Sequence, residues 1–370
     1  MTRRSVLSIP IAALNGGSLL PSRELSHSRL LAVSPDGRYL CLASPGNTSL
    51  SFRKLGTVWQ KWGSRNPEAY RIQLIDTGTW AAHCTFDCRL PPSYASFFRD
   101  TGFLLVHTFG PPDGTEYLII DPARRHVVQA IPRAMGSPYL FDGTGAVADS
   151  IVVSVEKHWF TRKTLDGREL TRVPEEPSSL TPAGFTYAPA SVSLNRSLLL
   201  HATGGRLALR ECDTLAVRWV TTLREDREIR ALAISTNGEW AAALLAEPKF
   251  NDPKCEISVI RGSDGQITTS FPVQADHVSP VLAISRDGKQ VAFGIRQRTP
   301  AMSEEYDLII GVHELQPNRM VAQLSHDRVA RSSGPMDTYF SRDAIRYSPD
   351  GRFIFTTGRT TKVWATPGQA

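Results

Sequence analysis

Long apolar runs, catalytic signatures and clustered charge are all missing from this chain of 370 residues. Nothing in it approaches the ~18 unbroken apolar residues that cross a bilayer as a helix, which points to a soluble body with no membrane span. There is no Gly-x-Ser-x-Gly elbow, no His-Glu-x-x-His and no Walker-type glycine loop, so no catalytic nucleophile and no cofactor site is assigned from a motif. An active site assembled from distant segments stays open. Basic residues never run beyond two together and the net charge is +6, so nucleic acid does not fit as the primary partner. The five cysteines, Cys41, Cys84, Cys88, Cys212 and Cys255, are odd in number and scattered, which excludes a simple disulfide framework. Free thiols suit a reducing compartment, and the expected location is the cytoplasm.

What the chain does have is a repeat. A short apolar run reaches a four-residue polar turn and a second apolar run follows, most clearly at Leu31 to Ala43, Val281 to Phe293 and Ile345 to Phe355. A fourth copy carries Ser235-Thr236-Asn237-Gly238, and weaker copies lie at Arg99 to Gly102, Asp142 to Gly145 and Ser193 to Arg196. Each reads as a hairpin in which Asp or Asn precedes a Gly, the pairing that tolerates the positive φ of a tight turn. The turns end at residues 37, 102, 145, 196, 238, 288 and 351, an average spacing of about 52 residues. Further strands follow each hairpin, such as Tyr70 to Ile75 and Trp80 to Phe86, Glu116 to Ile120 and His126 to Ile131, or Cys255 to Ile260 and Gln266 to Val273. Four strands in meander order make one blade, and radial repetition buries both faces of each.

With its Ser34-Pro35-Asp36-Gly37 and Ser348-Pro349-Asp350-Gly351 turns between the first two strands of a repeat, the chain resembles the WD40 and WD40-like propellers over nearly its whole length. Its looser copies are also similar to TolB-type and tricorn-type repeats. The Gly-His pair of the strict pattern is missing, and the Trp-Asp pair survives only as Val363-Trp364-Ala365 after Lys362. The resemblance implies an all-β fold: a seven-bladed β-propeller of four-stranded antiparallel blades, in a single domain over residues 1–370. The last blade has only three strands before the chain ends, so Ser5 to Leu14 is expected to supply the fourth and close the ring, with Pro10 tolerable on an outer edge. The competing reading is an exported, TolB-like accessory protein whose Arg3-Arg4 opens a twin-arginine leader.

Metal readings are poor. His83-Cys84-x-x-x-Cys88 lacks the second ligand pair of a zinc site, and each Asp-Gly turn offers one carboxylate where calcium wants six or more oxygens. His107, His158, His201 and His313 stand singly and read as packing residues. No metal and no cofactor is expected.

The connections are lopsided. Calling the strands of a blade a to d, the a–b and c–d turns emerge at one end of a propeller and are short here throughout. Every long insertion joins b to c or d to the next a: Pro45 to Ala69, Glu176 to Ala190, Glu247 to Lys254, Arg296 to Tyr306 and His326 to Arg342. Insertions gathered at one end mark the binding face of a repeat protein. The first holds Arg53, Trp59, Lys61, Trp62 and Arg65, and blades 6 and 7 add Arg296, Arg298, Tyr306, Arg331, Tyr339 and Phe340. Aromatic and basic residues of this kind dominate interface hot spots and suit an acidic or phosphorylated protein segment. The expectation is a noncatalytic interaction scaffold or complex subunit. The alternative is an enzyme or small-ligand binder at the channel mouth, in the manner of lactonase-like propellers.

Overall fold

The chain is described by a computed structural model at residues 18–19, 21–25, 29–44, 51–55, 58–62, 70–90, 92–98, 101–110, 114–132, 140–142, 151–156, 159–164, 168–174, 190–193, 197–203, 205–224, 226–247, 254–273, 277–298, 305–330, 345–357 and 360–368. The described residues form seven antiparallel four-stranded sheets, one carrying a fifth strand, and one separate two-stranded ribbon. This is the seven-bladed propeller architecture. Blade 1 runs Arg29–Val33, Tyr39–Ser44, Tyr70–Asp76 and Ala82–Cys88, and blade 2 runs Pro92–Phe97, Leu104–Gly110, Gly114–Asp121 and His126–Pro132. Blade 3 comprises Leu140–Asp142, Ile151–Glu156, Trp159–Thr164 and Glu169–Pro174, and blade 4 Ala190–Val192, Leu198–Thr203, Arg206–Glu211 and Val217–Thr222. Blade 5 comprises Glu228–Ile234, Trp240–Ala246, Cys255–Arg261 and Ile267–Val273, and blade 6 His277–Ile284, Gln290–Arg298, Glu305–Glu314 and Arg319–Ala330.

Blade 7 contributes Ile345–Tyr347, Phe353–Thr357 and Thr361–Ala365 from the end of the chain, and its fourth strand is Arg23–Leu25, antiparallel with Arg23 opposite Val363. The segment Ser5 to Leu14 lies outside the described residues, and the place assigned to it is held by this shorter strand. The physical reason is proximity, since Leu25 is four residues from the first strand of blade 1. Just upstream, Ser18–Leu19 adds a parallel fifth strand to the outer edge of blade 6, opposite Gln323 and Leu324.

The two ends of the array meet in one apolar cluster. Leu30, Val33, Leu40, Leu42 and Ile75 of blade 1 pack with Phe355 and Val363 of blade 7, and Leu25 of the closing strand joins them. Leu30 N donates to Thr357 Oγ1 at 3.1 Å across this junction. Outside it, Trp80 stands edge-on to Phe353 with centroids 5.9 Å apart, and the Arg23 guanidinium lies 5.1 Å over the indole. Similar mixed clusters join blades 1 and 2, 4 and 5, 5 and 6, and 6 and 7.

The repeated a–b turn is built on its serine as much as on its Asp-Gly. Ser34, Ser235, Ser285 and Ser348 donate from Oγ to Asp36, Asn237, Asp287 and Asp350 at 2.6, 2.7, 2.8 and 2.6 Å. The same hydroxyls accept from the backbone N–H of Tyr39, Trp240, Gln290 and Phe353 at 2.8, 3.0, 2.9 and 2.9 Å. Only the glycine takes a positive φ, between 69° and 77° at Gly37, Gly238, Gly288 and Gly351. The acidic residue acts through its carboxylate, as an acceptor for the serine and for the backbone N–H two residues on. Within the Asp-Gly or Asn-Gly pairing, the glycine thus supplies the positive φ and its neighbour supplies the bonding.

The c–d turns follow a second rule, a five-residue turn ending in a left-handed residue. Trp80, Leu215 and Gly265 donate from N to the carbonyls of Asp76, Glu211 and Arg261 at 2.6, 2.8 and 2.9 Å, with φ of 59°, 61° and 74°. Arg125 and Asn318 hold the same position with φ of 57° and 59°. A side chain there costs about 1–2 kcal/mol, against about 0.5–1 kcal/mol for the entropy of a glycine. Arg125 is exposed. Arg125→Gly is expected to raise the unfolding free energy by about 0.5–1 kcal/mol, whereas Leu215→Gly, which empties a site 1% exposed, lowers it by about 2 kcal/mol. Urea unfolding checks both, and a destabilised Arg125→Gly protein contradicts the strain assignment.

Candidate functional site

Among the described residues, the charged side chains of the short-turn end largely pair with one another. Arg38, Arg124, Arg218, Arg261, Lys289, Arg319 and Arg352 each pair with a turn carboxylate beside them, at 2.6 to 3.7 Å. The Asp76 carboxyl is held below its usual range, first by the Thr79 N–H and then by those of Gly78 and the Arg38 side chain, against burial. Neighbouring blades also bond to one another here: Trp219 Nε1 donates to the Gly262 carbonyl at 2.8 Å, Thr221 Oγ1 to that of Gly265 at 2.5 Å, and His83 Nε2 to that of Pro122 at 2.9 Å. Gly288 lies against the Trp240 indole of the preceding blade, where a Cβ would collide with the ring. These turns are occupied in holding blade to blade.

At the opposite end the insertion in blade 1 contains a ribbon of its own, Ser51–Leu55 paired with Val58–Trp62 and belonging to no blade. Its register sets Ser51 opposite Trp62, Phe52 opposite Lys61, Arg53 opposite Gln60 and Lys54 opposite Trp59. Backbone alternation then divides the predicted residues between two faces. Trp59 and Lys61 share one with Phe52 and Lys54, while Arg53 and Trp62 lie on the other. The pairing of Phe52 and Lys54 with that face was hidden in the sequence, because it depends on where the ribbon turns. Arg65 lies outside the described residues.

On blade 6 both ends of the expected loop are strand, and residues 299–304 lie outside the described residues. Gln290–Arg298 and Glu305–Glu314 carry the b–c ladder outward through Arg296 opposite Leu308 and Arg298 opposite Tyr306, and Arg319–Ala330 extends beside them with Val329 opposite Tyr306. The structure thus brings Arg298 and Tyr306 together at the tip of a long sheet. Residues 326–330, read as the start of a connection, belong to this outer strand. Arg331, Tyr339 and Phe340 lie outside the described residues.

One feature of this end escaped the sequence reading. Between blades 4 and 5, Arg224 pairs with Asp226 at 3.0 Å and with Glu256 at 3.4 Å, Arg230 pairs with Glu228, and Arg227 Nη1 donates to the Lys254 carbonyl at 2.9 Å. The Asp226 carboxyl is held down chiefly by its bond from Arg224. These charges compensate one another locally, whereas the ribbon of blade 1 carries Arg53, Lys54 and Lys61 with no acidic residue anywhere from Gly37 to Pro67.

The interior groups belong to packing. His83 turns its ring to Tyr39 at 4.9 Å and its Nε2 to Pro122, while Cys84 packs with Cys41 and Cys88 in the core shared by blades 1 and 2. His83 and the two thiols therefore do not converge, and among the described residues no group of three His, Cys, Asp or Glu side chains is placed to hold a metal ion. None of the five cysteines forms a disulfide, and burial pushes the Cys88 thiol up to about 12. His313 stacks on Phe271 at 4.0 Å.

No protein-family model and no curated protein sequence matches the chain. Solved structures do match in fold. The β-propeller domain of Cps50 (Swd1) from Myceliophteria thermophila is similar at 13% identity and a TM-score of 0.58, over 94% of this chain and 99% of that one. A chain of Kuenenia stuttgartiensis hydrazine synthase matches at 14% identity and a TM-score of 0.53, over 95% and 98%. A chain of the mitotic checkpoint complex matches at 11% identity and 0.52, over 99% and 100%. At these identities the likeness is one of fold, and the fold alone does not carry a function.

Two buried histidines give a pH signature. Burial pushes His107 down to about 4, and burial followed by the neighbouring Arg210 charge pushes His201 down to about 3. Arg210 Nε donates to His201 Nε2 at 3.1 Å, a bond the neutral ring accepts. Both rings stay neutral in the folded chain while the unfolded chain protonates near pH 6.5. Stability is therefore fully present above that pH and falls as pH drops toward 4, by about 2.7 kcal/mol per ring at pH 4.5. In urea titrations between pH 6.5 and 4.5, His201→Gln should make the fall shallower by about 1.4 kcal/mol per pH unit. An unchanged slope contradicts the assignment.

Proposed function

We propose that this protein is a noncatalytic interaction module: a rigid WD40-like propeller that holds a protein partner on its long-loop end. The observation that carries the reading is the contrast between the two ends. At the short-turn end the described arginines and turn carboxylates pair with one another, while the other end carries a ribbon whose two strands hold aromatic and cationic residues and no Asp or Glu. Repeat scaffolds act through irregular segments of this kind, because the regular part fixes their position. One of the fold neighbours is a chain of a multiprotein complex, which is in keeping with the reading. An acidic or phosphorylated segment is the partner chemistry that the ribbon's charge favours.

Affinity capture from the native host tests this with the wild type beside a Trp62→Ala, Arg65→Ala double variant. The variant is expected to retain the wild-type melting temperature and lose at least tenfold of the captured partner. Capture undiminished by both changes contradicts the choice of site.

A further inference from the structure

Resting on that reading, we infer that the ribbon takes up the partner as a third strand, and that the segment it accepts is extended and acidic. Three observations support the mode of binding. The ribbon is a sheet of two strands, and among the described residues both of its outer edges lack a neighbouring strand. Two strands alone make a marginal sheet, so a third gains ladder bonds that the ribbon cannot complete by itself. The chain also uses strand addition elsewhere, since Ser18–Leu19 docks on the free edge of blade 6.

The chemistry of the occupant follows from charge and register. From Gly37 to Pro67 the chain has no Asp or Glu, and the ribbon's five register pairs include Arg53, Lys54 and Lys61. Lys54 and Lys61 share a face with Phe52 and Trp59, so cations and aromatic residues alternate along it. A strand with acidic residues at every second position sets a carboxylate level with that face at each repeat, and opposite charges across a ladder are favourable. Nucleic acid would meet the same cations but has no amide ladder to offer the edge.

The test uses the full chain and a ten-residue peptide alternating Glu with Val, followed by calorimetry and by hydrogen exchange at residues 51–62. The peptide should bind, slow exchange in the ribbon and weaken as salt rises. Lys54→Glu with Lys61→Glu should weaken it at least tenfold, and Lys54→Gln with Lys61→Gln gives a milder loss should the reversal disturb folding. A peptide N-methylated at alternate amides, which keeps its charges but not its ladder, should also bind at least tenfold more weakly. Equal binding of the methylated peptide overturns strand addition, and so does no binding of the parent peptide beside tight binding of a single-stranded oligonucleotide of equal charge. If the peptide fails while the Trp62 and Arg65 variant still loses its native partner, this inference falls and the interaction reading stands. Native capture indifferent to that variant removes the interaction reading itself.

Discussion

A repeat array of this kind depends on joining its first blade to its last, because each small sheet is marginal alone and buries its faces only against neighbours. Here the join is a strand of three residues. Arg23–Leu25 completes the blade formed by the end of the chain and then leads directly into the blade formed by its start. Leu25 sits in the apolar cluster shared by both blades, Arg23 covers Trp80, and Leu30 N reaches Thr357. The polar bond and the stacked cation lie around an apolar centre, so the hydrophobic burial supplies the energy and the directed contacts set the register.

Locking the blades has a functional consequence. The serine-centred a–b turns and the left-handed c–d turns use their side chains to bond within a blade and to the next one, which fixes the short-turn end. Among the described residues the b–c and d–a connections share no repeated bonding rule of this kind, although Arg224 there reaches Glu256 of the next blade. They are where the chain can vary in length without loosening the scaffold, and the ribbon at 51–62 and the long sheet of blade 6 are the results.

The architecture was legible because hairpin turns recur with a fixed chemistry, and the strands Tyr70–Asp76 and Cys255–Arg261 lie within a residue of where the period places them. The closing strand was not. Arg-Glu-Leu has neither the length nor the alternation of a strand, while the apolar Ser5 to Leu14 has both, and only the position of the neighbouring edge separates them. The serine of the turn was visible but its role was not, since a hydroxyl's two bonds depend on geometry. At the candidate site, the residue types were legible and their grouping was not. Pairing Arg298 with Tyr306, or Lys54 with Trp59, is a matter of register.

Two truncations measure the central claim, that Arg23–Leu25 joins the ends of the propeller. Removal of residues 1–17 should leave the thermal unfolding transition at its wild-type midpoint, whereas removal of residues 1–25 should lower it steeply and broaden it. A steep loss already on removing 1–17, or no loss on removing 1–25, would contradict the account.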